Sequence, residues 1–347
     1  MELFTLDVGS GTQDFLLMKD ENIRNCPRMI LPSPTRIVAR RIGDATRRGK
    51  DVHLVGYTMG GGACVRAIKN HINAGLKVYA EERAALTIAD NLEKVRQMGV
   101  ELKSPEGDVV SIEMKDVDLP FFKCVLESVG EELPSTIIVA VQDHGFSPHE
   151  SNRRFRFRMF EEMLKRSGYL HDFLFHSEKI PAEFNRMQSV AQSVKDFCND
   201  EGIEIELYVI DTVFAAVAGC MLDAREFPAL LLNFGNSHVV GAVVDDDGFV
   251  HSLFEHHTSI MRAKGEQGIK DFVNRFIEGE ITNADVFEDG GHGAYVRDVV
   301  DVKDIVATGP NVHLCNYRIA NPAGDVMIVG NLGMVSLFEN LKEEQGK

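Results

Sequence analysis

Two stretches of this chain pair an apolar strand with a small polar turn of the kind that grips phosphate. The first is Leu3-Phe4-Thr5-Leu6-Asp7-Val8-Gly9-Ser10-Gly11-Thr12-Gln13-Asp14-Phe15. The second is Leu230-Leu231-Leu232-Asn233-Phe234-Gly235-Asn236-Ser237-His238-Val239-Val240. Small residues let a turn tighten until several backbone N–H groups point the same way, and such a concavity binds phosphate oxygens. Gly9, Ser10, Gly11 and Thr12 are the candidates in the first turn. Asn233, Gly235, Asn236 and Ser237 are the candidates in the second. Asp7 ends its strand and is suited to hold Mg²⁺ through water. Taken alone it is equally an ordinary turn-forming aspartate. The repetition of the pattern favours the metal and predicts two related lobes facing one nucleotide.

Histidines form a second constellation. His144 lies in Gln142-Asp143-His144-Gly145, His256 and His257 lie in Glu255-His256-His257-Thr258, and His292 lies in Gly290-Gly291-His292-Gly293. Neutral imidazoles bind transition metals, and imidazolium binds phosphate. Side chains of adjacent strand residues point to opposite faces, so at most one of His256 and His257 faces a shared site. Three uses stay open: metal ligands, metal-free substrate contacts, and hydrogen-bonded loop histidines with no ligand.

These residues need strands and helices to position them. Residues 3–8, 14–18 and 29–31 read as an opening strand meander, closed by Pro32-Ser33-Pro34. The basic stretch from Arg36 to Lys50 reads as a solvated face, with an anion patch as the alternative. Residues 53–57 read as a strand, followed by Met59-Gly60-Gly61-Gly62 and a helix over 64–73. That turn suits an anion or simply a tight bend, and it lacks the Lys and Ser/Thr of a P-loop. Helices are expected over 81–98, 121–129, 151–166 and 182–199, and strands over 136–141 and 205–210. An alanine-rich helix begins at Val213. A hairpin at residues 245–248 joins strands 241–244 and 249–255, and helices over 266–277 and 331–343 follow.

The two turns resemble the phosphate loops of the superfamily that holds actin, sugar kinases and heat-shock chaperone ATPases. Ile210-Asp211-Thr212-Val213-Phe214-Ala215-Ala216-Val217-Ala218-Gly219 resembles that family's first connecting helix. Met327-Ile328-Val329-Gly330-Asn331-Leu332-Gly333-Met334-Val335 resembles its adenosine loop, with Gly330, Asn331 and Gly333 as contacts. The landmarks fall in the family's order, and the second connecting segment has no clear counterpart. The resemblance implies an α/β chain of two ribonuclease-H-like lobes around a nucleotide cleft, the actin-like ATPase fold. It implies a first lobe with an inserted subdomain over 1–210 and a second over 211–347. It implies ATP and Mg²⁺ as cofactors, and phosphoryl transfer to a small molecule or ATP hydrolysis. Asp211 falls where relatives orient the attacking water or hydroxyl, and a carboxylate there can act as general base. It is also a good N-cap. Asn233 stands where the family has Asp, and Gly330-Asn331 where it has paired glycines. Both departures favour a non-catalytic nucleotide-binding regulator as the competing reading, and the histidines support a metal-dependent hydrolase as a third.

Over its whole length the chain is also similar to a prokaryotic family labelled "putative pyruvate formate-lyase activating enzyme". That label implies an iron–sulfur radical enzyme, which needs closely spaced cysteines. Cys26, Cys64, Cys124, Cys198, Cys220 and Cys315 form no short ligand motif, so that activity is discounted.

A length of 347 residues accommodates two domains. A formal charge of −16 argues against broad binding to nucleic acid or an anionic membrane. It leaves room for a local phosphate site built from backbone N–H groups. The first strand begins at once, leaving no space for a signal peptide, and no apolar run is long enough to span a bilayer. Scattered cysteines give no disulfide framework, consistent with the cytoplasm. The expected partner is a small-molecule substrate, and the sequence leaves open whether the chain forms a homo-oligomer.

Overall fold

Strand β1 (Leu3–Val8) is an apolar run in the interior of a sheet, and five of its six residues are buried. It hairpins into β2 (Thr12–Met18), which pairs antiparallel with β3 (Arg28–Pro32). The structure is a computed structural model and describes residues 2–19, 22–147 and 149–345.

After β3 the chain builds a subdomain with its own apolar core. Helix α1 (Pro34–Arg47) leads into β4 (Val52–Gly56), α2 (Gly62–Asn73), β5 (Val78–Ala80), α3 (Glu82–Ala85), α4 (Leu92–Gln97), β6 (Val100–Glu101) and β7 (Val110–Met114). These four strands form one parallel sheet in the order β6-β5-β4-β7. The basic stretch is mostly α1, whose Val38, Ile42 and Ala45 face the core while its arginines stay in solvent. The single helix expected over 81–98 is two short helices, because Thr87 turns inward and its hydroxyl accepts the Met59 N–H.

Helix α5 (Leu119–Ser128) returns the chain to the first sheet. There β8 (Thr136–Val141) pairs parallel with β1. Helix α6 (Asn152–Arg166), edge strand β9 (Phe175–His176) and α7 (Asn185–Glu201) precede β10 (Glu206–Ile210), which pairs parallel with β8. The order is β3-β2-β1-β8-β10-β9.

Helix α8 (Thr212–Met221) crosses to a second sheet. It holds β11 (Ala229–Phe234), β12 (His238–Val244) and β13 (Val250–His257) as a meander. Helices α9 (Thr258–Ile277) and α10 (Asn283–Glu288) follow, then edge strand β14 (Gly293–Val296), β15 (Asp304–Thr308) parallel to β11, and β16 (Arg318–Ile319). The order is β14-β13-β12-β11-β15-β16. Each sheet thus contains a three-strand antiparallel meander whose first strand is followed sideways by two parallel strands. That is the ribonuclease-H-like arrangement. Two of them around one cleft make this an actin-like ATPase fold.

The last helix, α11 (Val329–Gln345), follows β16 as α8 follows β10, and the two helices pack against each other. Glycines make the close approach feasible. A Cβ on Gly219 would lie 2.0 Å from the Val329 carbonyl oxygen, and one on Gly333 would lie 2.1 Å from that of Ala215. Residues 330–333, expected as an adenosine loop, are therefore helix. Two glycines three apart in an apolar run put a bare stripe on one helical face, and here that stripe receives α8. Met334, Val335, Leu337 and Phe338 of α11 share the core of the first sheet. No helix among the described residues is long and apolar enough to cross a membrane.

Candidate functional site

The two strand–turn–strand segments meet across a cleft of about 480 Å³, a size usual for small-ligand sites. Each turn closes by the same bond. The Gly9 N–H donates to the Thr12 carbonyl, and the Gly235 N–H donates to the His238 carbonyl, both at 2.9 Å. This equivalence sets Asp7 against Asn233, Thr12 against His238 and Asp14 against Val240. Bonds from below use the turns' carbonyls. Ser33 donates to Gly11 and Ser10, while Thr258 donates to Ser237 and Gly235. Among the described residues, the N–H groups of Ser10, Gly11, Asn236 and Ser237 find no acceptor. The Ser10 and Ser237 hydroxyls lie 2.8 Å apart, so the two turns touch.

Behind the first turn two carboxylates face each other, because Asp7 and Asp14 are registered partners in β1 and β2. Burial pushes the Asp7 carboxyl up to about 7, with Asp211 adding to the rise and Arg186 opposing it. Burial and then Asp7 push Asp14 up to about 8. One oxygen of Asp14 accepts from the Thr12 hydroxyl, and the other is buried without a partner. An orphaned carboxylate oxygen beside a second acid, both on the cleft wall, fits a hard cation such as Mg²⁺. Asp143 also lines the cleft. It accepts the Gly145 and Met187 N–H groups, and burial raises it to about 6 against those bonds.

Of the expected contacts, Gly9, Ser10, Thr12, Asn233, Gly235, Asn236, Ser237 and Gly330 line the cleft. Gly11 packs under Asn236, where an added Cβ would meet the amide at 2.6 Å. Asn331 and Gly333 are taken up by packing. Asn331 is buried and donates to Thr5 and Asp14. The second lobe instead offers Thr308, Gly309 and Pro310, at the end of β15 and just past it. The sequence signal was there, a Gly-Pro turn after an apolar strand.

Asp211 is not among the cleft-lining residues. One of its oxygens caps α8 through the Val213 N–H, and the other accepts the Asp143 N–H. Both also accept from the Arg156 guanidinium, at 2.9 and 2.5 Å. Its carboxylate is an anchor between elements, which removes the general-base expectation. Arg156 is fully buried on α6 and also grips Glu255 of β13. Burial pushes Glu255 up, but Arg156, His292 and His238 together more than offset it and hold the carboxyl well below its usual range. Arg156 escaped the sequence analysis because Arg153-Arg154-Phe155-Arg156 looks like a solvated face.

The histidines divide by sheet face. His238 and His257 are registered partners in β12 and β13 and share one face. His256 points the other way, bonded to Asp289 at 3.1 Å and packed edge-on to Phe272. His256 is therefore no member of a shared site. The cluster is His144, His238, His257 and His292, and His238 is the member the sequence analysis missed. Ring centroids are 4.6 Å apart for His238 and His292, 5.6 Å for His144 and His292, and 5.0 Å for His238 and His257. His144 and His238 line the cleft, and His292 is buried behind them.

Fold and site together define a two-lobed, actin-like protein with a polar cleft between its lobes. The chain belongs to the family described as "Putative pyruvate format-lyase activating enzyme (DUF1786)", whose model matches residues 59–314. The cysteines do not fit the iron–sulfur cluster that an enzyme so labelled would need. Buried Cys26, Cys64, Cys220 and Cys315 sit in four separate apolar cores, and Cys124 and Cys198 lie on α5 and α7. A comparison with curated proteins gives no match. Among solved structures, the chain is similar to the ethanolamine utilization protein EutJ from Carboxydothermus hydrogenoformans (10% identity, 96% of this chain and 88% of that one, TM-score 0.33). It is similar to the activator of 2-hydroxyisocaproyl-CoA dehydratase from Clostridium difficile with bound ADPNP (9% identity, 100% and 97%, TM-score 0.35). It is also similar to the Ppx/GppA phosphatase of Aquifex aeolicus (9% identity, 89% and 68%, TM-score 0.32). The fold assignment rests on strand order, not on these distant likenesses.

Proposed function

We propose that the cleft binds ATP with Mg²⁺ and passes the terminal phosphoryl group to water or to a small hydroxyl-bearing molecule. The observation that carries this reading is the facing pair of turns, closed by the same hydrogen bond, with unbonded N–H groups on both sides. Such donors cradle phosphate oxygens without needing a positively charged side chain. Asp7 would hold the metal, with the unpartnered oxygen of Asp14 beside it. Mg²⁺ there would supply charge neutralisation for the phosphates. Thr308, Gly309, Pro310 and Gly330 form the far wall, where the adenosine would lie. Asp143 replaces Asp211 as the carboxylate suited to take a proton, since its raised pKa of about 6 lies close to a working pH.

Stabilisation by ligand tests the reading. A nucleotide at about a hundred times its dissociation constant adds roughly 2.7 kcal/mol to a folded state that alone binds it. Mg-ATP or Mg-ADP should raise the melting temperature, and Asp7→Asn should lose the part of that rise that depends on the metal. No shift with any purine nucleotide at millimolar concentration would remove the proposal. Asn233 supports a second reading, a nucleotide-binding regulator without turnover. Stabilisation without phosphate release would establish that one.

A further inference from the structure

The histidine cluster beside the cleft has the makings of a metal centre. His144, His238 and His292 each bring one ring nitrogen to within 4.8 Å of the others. Three nitrogens around a tetrahedral ion, each about 2.0–2.1 Å from it, lie roughly 3.3 Å apart. Small rotations of the three rings close that difference.

His292 supplies an independent observation. It is 1% exposed, and neither of its ring nitrogens has a hydrogen-bond partner. Buried imidazoles are ordinarily satisfied at one nitrogen at least. Here the ring faces His238 and His144 instead of a carbonyl or carboxylate. We propose that His144, His238 and His292 bind one divalent transition-metal ion of the zinc class, with the fourth coordination position open to the cleft.

The surroundings agree. Glu255 lies 3.8 Å from Nδ1 of His238, and the Gln142 amide bonds the same nitrogen. Arg156 is balanced by two carboxylates, Glu255 and Asp211, so this buried group carries net negative charge to set against the cation. An all-imidazole set suits zinc, cobalt, nickel or copper and not Mg²⁺ or Ca²⁺, which prefer oxygen. His257 packs on two of the rings but brings no nitrogen into the group.

The open side has a consequence. His238 directly follows Ser237 of the second turn, and His144 also lines the cleft. A metal held there would offer its free position to water or to an anionic or hydroxyl oxygen of the second substrate. The metal claim does not depend on the nucleotide reading, and its test uses no nucleotide.

The experiment is titration of the full-length protein with Co²⁺, after chelator treatment and dialysis, read by visible absorption. One equivalent per chain is expected, with the intense bands of a four-coordinate ion, and Zn²⁺ should displace it. His292→Gln and His144→Ala should each weaken binding by a factor of about 100 or more. His313→Ala, an exposed histidine far along the chain, should not change it. Circular dichroism shows whether each variant is folded, and the parent titration stands even if one is not. Absence of stoichiometric binding to the parent would overturn the proposal. So would binding of one equivalent that both site variants retain, since that ion sits elsewhere.

Discussion

Arg156 offers the sharpest test of how the lobes are held together. Its Nε–H is shared between the two Glu255 oxygens, at 2.9 and 3.2 Å, and its two terminal nitrogens donate to Asp211, at 2.9 and 2.5 Å. It also donates to the Asp143 carbonyl. The arginine and Glu255 are completely buried, and Asp211 is 2% exposed. Arg156→Met fills the volume but strips two buried carboxylates of the cation bonded to both. Breaking such a group costs about 3–5 kcal/mol, a large share of the 5–15 kcal/mol that domains usually have. Replacing every charge is a different matter, because the cost lies in charge left unpaired. Arg156→Met with Asp211→Asn and Glu255→Gln should recover most of the loss, the more so because Asn still caps α8. The chain has no tryptophan, so urea unfolding is best followed by circular dichroism. A loss under about 1 kcal/mol for Arg156→Met would refute this account, as would a triple variant no more stable than the single one.

Further outcomes follow from other residues. Asp7→Asn should abolish the Mg²⁺-dependent part of nucleotide stabilisation, measured by thermal shift with and without the metal. Gly333→Ala should cost about 1–3 kcal/mol in urea unfolding, because its methyl group would press on the Ala215 carbonyl. His71 is buried in the inserted subdomain between the Thr46 hydroxyl and the Lys77 carbonyl, and burial lowers its pKa from 6.5. The unfolded chain then binds the proton more readily, so the stability His71 contributes is complete above about 6.5 and is lost as pH falls through its lowered value. Melting temperatures of the parent should drop over that window more steeply than those of His71→Gln.

Much of this was legible in the sequence. β1, β8 and β11 are predominantly apolar, and the turns after β1 and β11 announce themselves by Gly and Ser. What stayed hidden depends on distant partners. A strand-end Asp before a helix reads as base or cap, and only Arg156, 55 positions away, decides for Asp211. Gly330 and Gly333 fit a loop as well as a helix crossing, and α8 decides between them. Alternation along β13 showed that His256 and His257 must part, but not which one faces the cleft. That needed the register with β12, which also brings in His238.

The internal duplication explains why the site is lopsided. Equivalent positions hold Asp7 and Asn233, Thr12 and His238, Asp14 and Val240, so one turn carries the acids and the other an imidazole. The turns approach until Ser10 and Ser237 share a hydrogen bond. A carboxylate on the second turn would add another acid to this buried region, where burial first and Asp7 second already raise the Asp14 pKa. Placing the acids on the first turn leaves the second with neutral backbone donors. It also places a neutral imidazole, His238, where the first turn has a hydroxyl. The same topology thus sets an oxygen-rich side, Asp7 and Asp14, against a nitrogen-bearing one, His238, along one cleft.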